Sequence, residues 1–211
     1  HAMCVRMLRE DGELLGYQPN FTIYDDDDSR RLVKSIMADL DIDPKQCPLQ
    51  SIRARISAAK NALVGPEEMQ AHAQTPLDRA AARVYHSLEG RLARANAMDF
   101  DDLLVKAFEL LSKHPEVLDG YQERFRQISV DEYQDTNGVQ YAITNLLAKK
   151  HQNLMVVGDD DQSIYSWRGA DIANILSFRK DYPDAVVVKL EQNYRSFGHI
   201  LNAASALVRN N

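Results

Sequence analysis

The chain has 211 residues, 45% of them apolar and 27% charged, and carries a net charge of −6. That mixture suits a globular protein with one sizeable or two small cores, and no apolar run approaches the roughly 20 residues a membrane span needs. The acidic balance argues against coating nucleic acid by bulk charge. With no visible secretory leader, and two cysteines (Cys4 and Cys47) that share no metal-ligand spacing, the expectation is a cytoplasmic, reducing setting without a membrane.

In chain order, "HAMCVRMLRE" reads as a helix with neither cap nor lead-in, as if cut from something longer. Residues 11 to 28 turn loop-like, with Gly12, Gly16, Pro19 and then four aspartates. These precede "SRRLVKSIMADL", in which Leu32, Val33, Ile36, Met37 and Leu40 recur at helical spacing. The acidic run is expected to start that helix, where carboxylates complement the macrodipole; consecutive carboxylates on one segment cannot all converge on one metal ion. Further helices are expected over 49–64, ended by Gly65-Pro66, and over 77–95, with a polar loop over 65–76 between them. Residues 13 to 83 thus read as all-helical. The stretch 29–60 has a local balance of +4, which could meet phosphate.

"MDFDDLLVKAFELLSKHP" follows, with Asp99 placed as N-cap, Asp102 as the acid of a capping box, and Phe100, Leu103, Leu104, Ala107, Phe108 and Leu111 as its apolar face. From residue 126 the texture changes. "RQISVDE", "NLMVVGDDDQ" and "AVVVKLEQNYRS" each set a short apolar run before a polar cluster, with helical patterns between them. Alternating strands and helices of this kind predict an α/β fold: a parallel sheet with helices on both faces, whose ligands bind beyond the carboxyl ends of the strands.

At the first strand end, in "VDEYQDTN", the adjacent Asp131 and Glu132 suit one carboxylate holding Mg²⁺ and another activating water; the same pair could instead cap the next helix. At the second, in "VVGDDDQSIYSWRGA", Gln162 offers an uncharged amide to a phosphate oxygen. Tyr165 and Trp167 offer faces for base stacking, a contact of about 1–3 kcal/mol per base, although a lone Trp is more often a core residue. Arg168 could bind phosphate or pair with the acids. At the third, in "LEQNYRSF", Tyr194 could stack on a purine and Arg195 reach a phosphoryl group.

These three motifs, in this order and at these separations, closely resemble motifs II, III and IV of superfamily 1 DNA helicases of the UvrD/PcrA/Rep type. The likeness extends to "HAMCVRMLRE", similar to the segment after their motif Ia, and to "AMDFDDLL", similar to the helix that re-enters their first motor domain. The resemblance implies a RecA-like P-loop NTPase fold interrupted by a helical insertion. Residues 1–12 would be the lead-in of domain 1A, 13–83 the insertion subdomain 1B, and 84–211 the remainder of 1A. It also implies ATP and Mg²⁺ as cofactors, single-stranded DNA and single-strand/duplex junctions as partners, 3′→5′ unwinding, and repair or replication proteins as further partners.

By the same resemblance Asp131 would coordinate Mg²⁺, Glu132 activate the attacking water, Gln162 sense the γ-phosphate, Arg195 stabilise the transferring phosphoryl group and Tyr194 stack near adenine. Tyr165 and Trp167 would stack on DNA bases, Arg168 would link the two sites, and His1 would lie near the DNA path. One departure is plain. The family's G-x-x-x-x-G-K-[ST] loop is absent, since none of the nine glycines precedes a lysine. In the family it lies upstream, with a second motor domain downstream, so the expectation is a fragment without ATPase activity of its own. Alternatives are the motor part of an AddA/RecB-type helicase-nuclease, a Mg²⁺-dependent hydrolase without a motor, and a non-catalytic module that binds DNA or a partner.

Overall fold

A computed structural model describes residues 1–163, 170–176 and 178–208. The acidic run does start a helix. Asp25 caps α2 (Asp26–Asp39), its side chain accepting from the Asp28 amide, and the next three aspartates fill the first turn. Val33, Ile36 and Met37 face inward from α2. They meet Ile52 and Ile56 of α3 (Leu49–Asn61) and the long stripe Ala81, Val84, Tyr85, Leu88 and Leu92 of α5 (Pro76–Arg94). This i, i+3/i+4 stripe gives the helical half its own core, and each fully buried Leu or Ile in it contributes about 1.5–3 kcal/mol.

Two local features differ from expectation. The polar loop after α3 contains a helix, α4 (Pro66–Ala71). Gly65-Pro66, read as a stop, is also a start, because proline at the first helical position loses no hydrogen bond there. The second difference is a strand inside the helical stretch: β1 (Thr22–Ile23) pairs in parallel with β2 (Ala97–Met98). Residue 83 lies within α5, which a Thr75–Asp78 capping box opens and which runs unbroken to Arg94.

The helix α6 (Phe100–Lys113) joins the two halves. Asp99 and Asp102 form the expected capping box. Leu103 and Leu110 pack with Leu8, Tyr17, Phe21 and Met98, while Leu104, Ala107 and Leu111 pack with Cys4 and Met7 of α1 (Ala2–Asp11) and with Val139, Ile143 and Leu147 of α8 (Gly138–Ala148). Phe100, expected on the apolar face, is exposed and instead meets His1 edge-on at 6.1 Å. The helix α7 (Pro115–Arg124) covers the same core through Tyr121.

The expected βαβ unit is present. The strand β3 (Ile128–Val130) and β4 (Leu154–Val156) pair in parallel, Ile128 opposite Leu154 and Val130 opposite Val156, with α8 as the crossover. Covering on both faces does not hold among the described residues, since Ser129, Met155 and Val157 are exposed. Nor does the run Ala185–Leu190 form a third strand. Val186, Val188 and Leu190 are 74–88% exposed, and an apolar run becomes a strand only where a neighbouring edge accepts its backbone. Two single turns, α9 (Ala173–Leu176) and α10 (Phe178–Asp181), and a last helix α11 (Gly198–Val208) complete the elements. No helix among the described residues is long and apolar enough to cross a membrane.

The basic stretch presents less charge than its composition suggests. Arg30, Arg53 and Arg55 pair with Asp27, Asp26 and Asp78, and Lys60 is 1% exposed. Arg31, Lys34 and Lys45 remain exposed. Lys60 Nζ lies 2.6 Å from Asp102 and 2.8 Å from Asp99, with Glu89 at 3.5 Å. Burial pulls its pKa down, but the carboxylates outweigh burial and hold it well above the usual lysine value. Beside it Ser57 Oγ donates to Asp101 at 2.7 Å. The last turn of α3 is thereby fixed on the first turn of α6.

Candidate functional site

The backbone brings the first two strand ends side by side. The Val157 amide donates to Val130 O at 2.8 Å, and the Tyr133 amide to Val157 O at 3.0 Å, extending the β3–β4 ladder into the polar clusters. Between these bonds the chain leaves β3 through Asp131 and Glu132. Glu132 sits in the left-handed region, φ 49° and ψ 46°, a conformation that costs a non-glycine residue of order 1–3 kcal/mol and is concentrated at functional sites. It permits the sharp turn into Tyr133–Asp135, after which Asn137 caps α8, accepting from the Gln140 amide at 2.9 Å.

What holds this turn is a residue the sequence did not single out. Gln134, 1% exposed, donates from Nε2 to Glu132 Oε2 at 2.8 Å and accepts at Oε1 from the Asp159 amide at 3.1 Å. Gly158 makes room for this contact, because a Cβ there would stand 2.5 Å from Gln134 Oε1. Asp159 Oδ2 in turn accepts from Gln162 Nε2 at 2.6 Å. Glu132, Gln134, Asp159 and Gln162 therefore form one hydrogen-bonded chain across the two strand ends. Beneath it Tyr133 is fully buried, edge-on to Phe178 at 5.7 Å, and burial pushes its phenol pKa upward.

Tyr165, Trp167 and Arg168 lie outside the described residues. Their flanks are anchored on the same turn. Before them stands the Gln162 contact; after them Ala170 bridges Asn137, the Asp171 amide donates to Thr136 O at 3.0 Å, and Asn174 Nδ2 donates to the same oxygen at 3.0 Å. Asn174, Thr136 and Asn137 are also residues that the sequence reading passed over. The signal available for Thr136 and Asn137 was "QDTN", four polar residues one position after the carboxylate pair.

A cleft of about 500 Å³ runs the length of β3, with an apolar part formed by Cys4, Leu104, Ile128 and Leu147 and a polar end where His1, Asp131 and Glu132 line it. His1 thus stands with the acidic pair. Asp135 also lines the cleft, and its Oδ1 is buried without a hydrogen-bond partner among the described residues. No three His, Cys, Asp or Glu side chains among the described residues form a metal cage. A nucleotide-bound Mg²⁺ asks for less, one or two carboxylates with phosphates and water completing its octahedron. The exposed carboxylates of Asp131 and Glu132, adjacent at the strand end, fit that donor chemistry.

Tyr194 and Arg195 are not joined to this cluster. Tyr194 is 92% exposed, and among the described residues no hydrogen bond or ion pair links Arg195 to Asp131, Glu132 or Gln162. Their loop is shaped locally, Asn193 Oδ1 accepting from the amides of Arg195 and Ser196 at 2.9 Å each.

A family described as the UvrD/REP helicase N-terminal domain matches residues 1–183, stopping short of Tyr194 and Arg195. Over all 211 residues the chain is 49% identical to the ATP-dependent DNA helicase PcrA of Bacillus subtilis strain 168. It is 48% identical to PcrA of Staphylococcus aureus strain Mu50 and 47% to that of Staphylococcus epidermidis strain RP62A. The chain spans 29% of the length of each of these relatives.

Proposed function

Because the chain belongs to the UvrD/Rep helicase family, we propose that it serves ATP-dependent DNA unwinding, supplying the catalytic strand ends of a RecA-like motor and a helical insertion. The observation that carries this reading is the hydrogen-bonded chain from Glu132 through Gln134 and Asp159 to Gln162. It ties the residue suited to act as base to the residue suited to contact the γ-phosphate.

In this reading Asp131, assisted by Glu132, holds the Mg²⁺ of MgATP; the ion, when bound, neutralises charge on the phosphates. Glu132 accepts the proton of the attacking water, its carboxylate oriented by Gln134 Nε2. Gln162 turns its amide from Asp159 to the γ-phosphate, exchanging one hydrogen bond for another. Arg195 and Tyr194 approach the phosphoryl group and the adenine from their exposed loop. Trp167 and Tyr165 stack on single-stranded DNA, with Arg168 between the two sites, and His1 stands where the cleft meets the DNA path. A change at Gln162 is thereby felt five positions away at the stacking surface. These residues include no G-x-x-x-x-G-K-[ST] loop, so by themselves they would not turn over ATP.

Strand displacement by the complete gene product carrying this sequence tests the reading. With ATP and Mg²⁺ it should displace a strand from a duplex bearing a 3′ single-stranded tail and leave a 5′-tailed duplex intact. Displacement without ATP, or none on either substrate, would count against it.

A further inference from the structure

We propose that Gln134 is a positioning residue for hydrolysis, holding the Glu132 carboxylate and the Asp159–Gln162 turn in one register. The inference rests on the role given above to Glu132. Gln134 is 1% exposed and uses both ends of its amide, Nε2 to Glu132 Oε2 at 2.8 Å and Oε1 from the Asp159 amide at 3.1 Å. The orientation is fixed by its partners, since a backbone N–H can only donate and an ionised carboxylate can only accept. A flipped amide would set donor against donor and acceptor against acceptor. Glu132, in its left-handed conformation, has its side chain held by this bond. At the other end, Asp159 accepts from both Gln162 Nε2 at 2.6 Å and the Asp161 amide at 3.1 Å, so the register passes into the turn that carries Gln162.

Gln134 itself is enclosed beneath the turn, with Gly158 against its Oε1. It acts through Glu132 and Asp159, and its loss should affect the chemical step more than nucleotide binding. The test is DNA-stimulated ATP turnover by the complete gene product with Gln134→Met, which removes both bonds, and Gln134→Glu, which keeps the size and the acceptor but replaces the donor with a second carboxylate. Glu132→Gln serves as reference. Both Gln134 variants should lower kcat by at least about tenfold while the KM for ATP stays within about twofold, the signature of an interaction made in the transition state. The Asp159 amide should exchange faster with solvent in Gln134→Met and keep its protection in Gln134→Glu. If Glu132→Gln is inactive while both Gln134 variants turn over within about twofold of the parent, the bridge is packing alone and the inference falls. If Glu132→Gln itself retains full turnover, the role of Glu132 and the inference fall together.

Discussion

Asn61 and Asn137 meet side chain to side chain, Asn137 Nδ2 donating to Asn61 Oδ1 at 2.6 Å. Asn61 is the last residue of α3, and Asn137 caps α8 directly after the turn that follows Asp131 and Glu132. The helical half of the molecule therefore touches the strand end that carries Asp131 and Glu132. The approach is close, since a Cβ on Gly138 would lie 3.0 Å from Asn61 O.

Asn61→Ala leaves the Asn137 cap bond to Gln140 intact but strips its Nδ2 of a partner. An unsatisfied polar group at a site only 8% exposed should cost about 1–3 kcal/mol. Urea unfolding of the 211-residue chain measures it; an unchanged midpoint would mean that water replaces the bond without loss.

Lys60 should be the most costly single charge to remove. Lys60→Met leaves Asp99 and Asp102 buried without their cation, and breaking a buried pair in this way costs about 3–5 kcal/mol. The sign of the pH dependence follows from a lysine held well above 10.5 in the folded state. Its contribution is whole below pH 10.5 and is lost as pH rises through the folded value. The stability gap between parent and variant should narrow in strong alkali as Lys60 loses its proton, and also in acid, where Asp99 and Asp102, whose carboxyl pKa values burial pushes upward, take up protons and no longer need a cation; unfolding midpoints at stepped pH read both limbs.

Lys60 also marks where sequence reading stops. It counted as one of the basic residues free to meet phosphate, yet its partners lie 39 and 42 positions ahead, and no local pattern announces them. Local signals fared better. The aspartate start of α2, the Asp99–Asp102 box and the β3–α8–β4 unit are written in contiguous local patterns, and all formed as expected. The run Ala185–Leu190 carries as strong a strand pattern as β4, but pairing is a property of two segments and among the described residues it pairs with no edge. In the site, the carboxylate pair was legible from its place after a strand. The Gln134 bridge was not, because its meaning depends on Gly158 and Asp159 lying opposite it on the neighbouring strand end.

Gly158→Ala probes that opposition. The added methyl group would stand 2.5 Å from Gln134 Oε1, 2.8 Å from Ile175 Cδ1 and 3.2 Å from the Tyr133 amide nitrogen. Gln134 is held at both ends and Tyr133 N is backbone, so neither yields cheaply. Overpacking of this kind costs about 1–3 kcal/mol. A lowered thermal midpoint together with faster exchange of the Asp159 amide is expected; a variant with parent-like stability and protection would show that the two strand ends are less tightly apposed than described.

The most direct measurement of the central claim is DNA-stimulated ATP turnover by the complete gene product with Glu132→Gln. If Glu132 activates the attacking water, kcat falls by about 10²–10⁴-fold, the usual worth of a general base, while ATP and single-stranded DNA still bind. Turnover at the parent rate would contradict the assignment of the β3 strand end as the hydrolytic centre.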